Sequence, residues 1–180
     1  MSEPAFENEL NAWAYLLCGH IETFVGRLRQ LPADRWDWSP NPAAPTARTL
    51  ATHAYQWLEC DRQHIREPDV SRHIPVTEAP ADPDALCGLL AAEAPAWSAL
   101  LAELTPEKLL EERSQFGSYP ANIRWFIGHS TQNLIYKHGQ FSEIYFALEL
   151  DGSALYSAPF PNPIYDEMAA ERANSLKPTS

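Results

Sequence analysis

The stretch SYPANIRWFIGHSTQNLIYKHGQFSEIYFALEL, residues 118–150, decides the fold. In it Ile123, Phe126, Ile127, Leu134, Phe141, Ile144, Tyr145 and Leu148 recur at offsets of three, four and seven, the spacing of one buried face of an α-helix, and the pattern runs too long for a strand. Ser118 and Pro120 read as the opening of this helix and Leu150 as its end. Lys137 falls inside the apolar stripe, where a long side chain either carries its charged head out to water or faces a polar pocket.

The pattern extends backwards from there. The segment TPEKLLEE, beginning at Thr105, reads as a short helical turn, with proline at its first position. Asp82 and Pro83 form an N-cap and first-turn pair for a third helix whose apolar set is Leu86, Leu89, Leu90, Trp97, Leu100, Leu101 and Leu104. Thr46 is placed to cap a second helix over residues 47–66, on which Leu50, His53, Trp57, Cys60 and His64 share a stripe. Leu10, Trp13, Leu17, Ile21, Phe24, Leu28 and Leu31 mark a first helix over residues 5–31. Prolines crowd residues 32–45, together with Trp36 and Trp38, and recur in 67–81, so both segments read as ordered loops, the first anchored by its tryptophans. No segment alternates with period two. Four long amphipathic helices with proline-rich connections make an all-α bundle, residues 1–150, with an extra C-terminal segment at 151–180 that packs on the bundle or on a partner chain.

Composition narrows the function classes. The net charge of −11, with only 13 Lys and Arg in 180 residues, argues against a nucleic-acid partner, which needs a clustered basic footprint. No uninterrupted apolar run approaches the ~18 residues of a membrane span, and the first residues, MSEPAFENEL, lack the basic and apolar regions of a leader, so the expectation is a cytoplasmic protein with no membrane partner. Cys18, Cys60 and Cys87 are widely spaced in a chain large enough to have a core, and are read as reduced thiols.

Chemistry would have to come from a few polar side chains within the helices. His129 and His138 lie nine residues apart, about 900° around a helix, on opposite faces. His53, Cys60 and His64 project from one side of the second helix. A Cys–His pair at i, i+4 can activate a thiolate or supply two zinc ligands, while a cysteine in such a stripe is equally a core filler. His129, with His53 and His64, would make a displaced metal site if the second and fourth helices adjoin in the right register.

Two stretches carry a family resemblance. RWDWSPNPAAPTARTLATHAYQWLE, residues 35–59, resembles the tryptophan- and proline-rich loop, Ser/Thr cap and helix of the DinB-like superfamily, also called YfiT-like metal-dependent hydrolases. Their histidine seven residues after the cap falls on His53, after Thr46. HSTQNLIYKHGQFSEIYFAL, residues 129–148, is similar to the family segment His-x-x-x-His-x-Gly-Gln, anchored by Tyr136 and Gly139-Gln140. The resemblance implies a four-helix bundle, a homodimer, and three histidines holding a divalent ion such as zinc or nickel. Only His53 keeps a ligand type; the other two positions carry Asn133 and Lys137, and His138 occupies an intervening position. An amide oxygen is a weak ligand and an ammonium must lose its proton before it can donate, so this set implies no resident cofactor and a non-catalytic or small-molecule-binding bundle. The alternative is a metal-dependent hydrolase or thiol-group transferase using an altered site, in which Lys137 acts as nucleophile or base.

Overall fold

A computed structural model describes residues 8–115 and 119–150. Helix α1, Glu9–Leu28, starts where the Asn8 side chain accepts from the Asn11 backbone N–H at 3.1 Å. Its stripe of Leu10, Leu17, Ile21, Phe24 and Leu28 is buried. A short 3₁₀ turn, Ala33–Arg35, then carries Trp36 into the core, where the Arg48 backbone N–H donates to the Trp36 carbonyl at 3.0 Å. The proline-rich loop is anchored there. Helix α2, Ala47–Arg66, has the expected Thr46 cap, whose hydroxyl accepts from Thr49 N–H at 3.1 Å. Helix α3, Pro83–Glu103, has the expected Asp82 cap and first-turn proline.

Helix α4, Ile123–Ala147, completes the bundle. α1 packs on α3 and α4, and α2 packs on α4 and α3. Around the bundle the order is therefore α1, α3, α2, α4, and the α1–α2 and α3–α4 connections both run across a diagonal. This topology sets α2 beside α4 and so decides which histidines meet. The interior includes fully buried Phe24, Phe126, Phe141 and Trp97, and burying a phenylalanine of this kind stabilises by roughly 1.5–3 kcal/mol.

By length and apolarity alone α3 would suffice to cross a membrane. Here it is a core helix. Leu86, Leu90, Trp97, Leu100 and Leu101 are buried, and Glu93 at its middle is buried and held by Arg62 of α2 through two 2.8 Å hydrogen bonds. A buried carboxylate is tolerable when paired and hydrogen-bonded in this way. The Trp97 indole N–H donates to the Leu58 carbonyl at 3.2 Å and ties the same two helices. Leu89, expected in the buried set, is instead exposed, because it stands about 100° off the line through Leu86, Leu90, Trp97 and Leu101.

The segment before α4 departs from the sequence reading. Strands β1, Glu112–Gln115, and β2, Tyr119–Asn122, form an antiparallel hairpin in which Ser114 faces Pro120. α4 therefore opens later than Ser118, at Ile123, with the Asn122 side chain accepting from Trp125 N–H at 2.9 Å. Pro120 fits an edge strand because its ladder position need not donate. The bundle remains all-α in architecture, with this one small sheet among the described residues.

α4 ends in a left-handed cap. Leu150 N–H donates to the Tyr145 carbonyl and Glu149 N–H to that of Phe146, both at 3.1 Å, with Glu149 at φ 54°. This is the Schellman pattern, whose positive-φ position is ordinarily glycine. The C-terminal segment 151–180, and the start of the expected first helix before residue 8, lie outside the described residues.

Candidate functional site

The α2–α4 seam brings His53, Trp57 and Asp61 of α2 opposite His129, Asn133 and Lys137 of α4. The α2 trio sits at steps of four and the α4 trio likewise, so each lines one helix face. The Trp57 indole N–H donates to His53 Nε2 at 2.9 Å. His53 Nε2 is thus an acceptor, and in the neutral ring the proton belongs on Nδ1. Asn133 lies close enough to favour the charged ring, yet neither His53 Nδ1 nor Asn133 Oδ1 completes a hydrogen bond of ordinary geometry, and both atoms are buried. Burial pushes the His53 basicity below the usual imidazole range, and the neighbouring charges of Lys137 and His129 push it the same way.

Lys137 does not bond His53 or Asn133. Its Nζ donates to Gln140 Oε1 at 3.3 Å, one turn along α4, and lies 5.5 Å from the centroid of the Tyr136 ring. The residue is half-buried, and desolvation lowers its basicity below that of a free lysine.

One turn beyond Trp57 lies a group the sequence reading passed over. Asp61 is 1% exposed, and its Oδ2 is approached by His129 Nδ1 at 2.7 Å and Ser130 Oγ at 2.8 Å. Burial raises the Asp61 carboxyl, while the His129 and Ser130 bonds and the neighbouring His64 pull it back. The His129 ring stacks on Trp125, with centroids 4.8 Å apart and planes 7° from parallel, and meets the Trp57 ring at 5.3 Å and 89°. A carboxylate at i+8 from His53 and i+4 from Trp57, within a buried stripe, was the available signal.

The other candidates separate. Cys60 is buried, its thiol is pushed up to about 12 by burial, and its Sγ lies 3.4 Å from the Ile74 carbonyl. It is a core thiol, not an activated thiolate. His64 stacks on Phe126 at 5.3 Å, and burial lowers its basicity. α2 and α4 do adjoin, as the displaced metal site requires, but His64 faces Phe126 and His73, not His53. Among the described residues no three His, Cys, Asp or Glu side chains gather closely enough to hold a metal ion. His138 lies on the opposite side of α4, as its spacing predicts: its Nδ1 meets Arg27 Nη1 at 3.0 Å and its Nε2 meets the His20 carbonyl at 3.1 Å.

A groove of about 640 Å³ runs beside the seam, between loop residues Asn41, Ala43, Ala44 and Pro45 and the outer side of α4 at Tyr136, Gly139 and Gln140. The same loop that anchors Trp36 thereby walls a space next to Lys137's partner. Trp36 is buried in the core and Trp38 packs against it half-buried, and neither lines the groove.

Comparison with known proteins places this geometry. No curated protein matches the chain significantly. Among solved structures, one described as "YfiT from Bacillus subtilis is a probable metal-dependent hydrolase with an unusual four-helix bundle topology" superposes with a TM-score of 0.65 at 14% identity, covering 84% of this chain and 94% of that one. At that identity the likeness speaks for the fold. The family model described as DinB superfamily matches residues 17–141, from within α1 to within α4, and takes in residues 35–59 and the segment through Gly139-Gln140. The chain belongs to the DinB superfamily.

Proposed function

We propose that this DinB-superfamily bundle binds a small molecule at the His53, Asn133 and Lys137 positions, without the divalent ion that the family framework suggests. The observation that carries the reading is the Trp57-to-His53 hydrogen bond. It occupies the Nε2 lone pair and puts a proton on Nδ1, so His53 offers that seam a donor. A divalent ion does not fit a protonated nitrogen, an amide oxygen and an ammonium. The same three groups suit a ligand that carries acceptors and at least one donor: an N–H from His53 and the Lys137 ammonium donate, and the buried Asn133 Oδ1, left without a partner, accepts.

The bundle is proposed to act as a cytoplasmic homodimer. Ile135, Tyr136 and Phe146 stand 50–64% exposed on the outer side of α4, where a second copy would cover them. Light scattering on the purified chain tests this, and a strict monomer at high concentration argues against it.

Metal content decides the main reading. Protein purified without a histidine tag should carry far less than one zinc or nickel per chain; close to one tightly held ion would sink the proposal. Restoration supplies the converse. Asn133→His with Lys137→His rebuilds the family spacing opposite His53 and should create zinc binding with Kd on the order of 1 μM or tighter, a gain of about 8 kcal/mol over a 1 M reference. Adding Trp57→Phe, which frees His53 Nε2, should tighten it further.

A further inference from the structure

The Asp61–His129 pair shares the α2–α4 seam with His53, Asn133 and Lys137 but no residue with that cluster, and it offers a different chemistry. Asp61 is sealed inside the bundle, yet both groups that approach its Oδ2, His129 Nδ1 and Ser130 Oγ, come from consecutive residues of α4. A buried carboxylate must be satisfied by such donors. With the Ser130 hydroxyl donating to Oδ2, the same oxygen accepts from His129 as Nδ1–H. That leaves the lone pair on Nε2, at the far edge of the ring. Nε2 makes no hydrogen bond among the described residues, and the His129 side chain is 27% exposed. The ring plane is fixed from two sides, stacked on Trp125 and edge-on to Trp57. An imidazole with a defined tautomer, a locked plane and an accessible lone pair is what proton abstraction requires.

The neighbouring groups do not offer a competing nucleophile. Ser130 is buried and its hydroxyl is engaged by Asp61. Cys60, adjacent in sequence, points to the Ile74 carbonyl.

We infer that His129 is a catalytic base that takes a proton at Nε2 from a water or small hydroxyl compound at the open edge of its ring, with Asp61 as its positioning residue. With an activated ester the step is balanced as follows. The water oxygen bonds to the acyl carbon as one water proton passes to Nε2. The bond from acyl carbon to the leaving oxygen then breaks, its electron pair departs with that oxygen, and the imidazolium returns its proton to solvent. Asp61 keeps its bond to Nδ1–H throughout. No ion enters the step.

The test is hydrolysis of p-nitrophenyl acetate by the full chain in buffer containing a chelator, followed as nitrophenolate release. Positioned general bases contribute about 10²–10⁴-fold, and for this unselected ester His129→Ala should lower the rate by at least about ten-fold. Asp61→Asn should lower it as well, while His73→Ala, at an exposed histidine of the α2–α3 loop, should leave it unchanged. The rate should fall in heavy water, as proton transfer in the slow step requires. Nitrogen-15 spectra of the rings supply the readout that a merely structural Asp61 would not move. His129 should show a protonated Nδ1 and bare Nε2, and Asp61→Asn should redistribute that proton between the two nitrogens. The inference is overturned if His129→Ala hydrolyses the ester at the wild-type rate, if an acetylated His129 accumulates as a nucleophilic intermediate, or if Nε2 carries the proton. These outcomes are separate from metal content, which tests the reading of His53, Asn133 and Lys137.

Discussion

Two histidines nine residues apart on α4 are put to opposite uses by the helices they face. His138 looks toward α1, is buried, and has both ring nitrogens engaged, by Arg27 and by the His20 carbonyl. Its Nδ1 accepts from the guanidinium, so its Nε2–H donates to the carbonyl, and Phe24 packs against its ring at 5.2 Å. His129 looks toward α2, has one nitrogen engaged by a buried carboxyl and keeps the other edge open. The first is a strut between α1 and α4, the second a presented base. Residue type and helix are shared; what differs is whether the facing helix consumes one nitrogen or both.

The largest expected effect tests the strut. His138→Ala removes a packed ring and two hydrogen bonds, and leaves Arg27 facing a cavity, so it should destabilise the bundle by about 3 kcal/mol in urea titration. His129→Ala should lose only roughly 1 kcal/mol, since Asp61 retains Ser130 and the vacated space opens to water. Equal losses at the two positions would break the distinction between strut and base.

Acid sharpens it next. Burial drives the His138 value down to about 3 from the ordinary 6.5. As pH falls below 6.5 the unfolded chain therefore takes up a proton that the folded chain refuses, and stability declines by about 1.4 kcal/mol per unit until about pH 3. At pH 5 the contribution is a loss of roughly 2 kcal/mol relative to pH 7. His20, His53 and His64 are depressed in the same direction, whereas the raised Asp61 carboxyl works in the opposite one, so the measurement is the difference between wild type and His138→Gln. The variant's stability should fall less between pH 7 and pH 5 by about that amount. A variant that declines in parallel with wild type would remove His138 from the account.

How much of this could be read beforehand follows from the range of each interaction. Helix spacing is local, so the stripes through Leu10 to Leu28 and Phe126 to Tyr145, and the caps at Thr46 and Asp82, were legible from a few residues each. The opposite facing of His129 and His138 was equally a matter of counting. The hairpin was not, because Arg113, Ser114 and the YPAN segment have no apolar alternation and form strands only by pairing with each other. Nor was the Asp61–His129 bond, which joins residues 68 apart and exists only because the diagonal connections set α2 beside α4 in one register. His53 was placed from family spacing, but the direction of its lone pair depends on the Trp57 rotamer. Lys137 could be placed in the stripe, and only the structure sends its ammonium to Gln140.

The smallest expected effect concerns that ammonium and probes the open side of the comparison. Lys137 has one long hydrogen bond and pays desolvation for its half-buried position, so Lys137→Met exchanges a weakly held charge for an apolar chain of similar length. Stability should change by no more than about 0.5 kcal/mol, as for a substitution outside any tightly packed polar network. The electrostatic consequence is directional. Lys137 is one of the charges that depress His53, so its removal should raise the His53 midpoint in an NMR titration, while His138, sealed on the other side of α4, stays where it is. If His53 does not move, the Lys137 head lies out in water and the polar cluster on the α2 side loses its cation. If His53 and His138 move together, the helix fails to insulate its two faces and the contrast between them collapses.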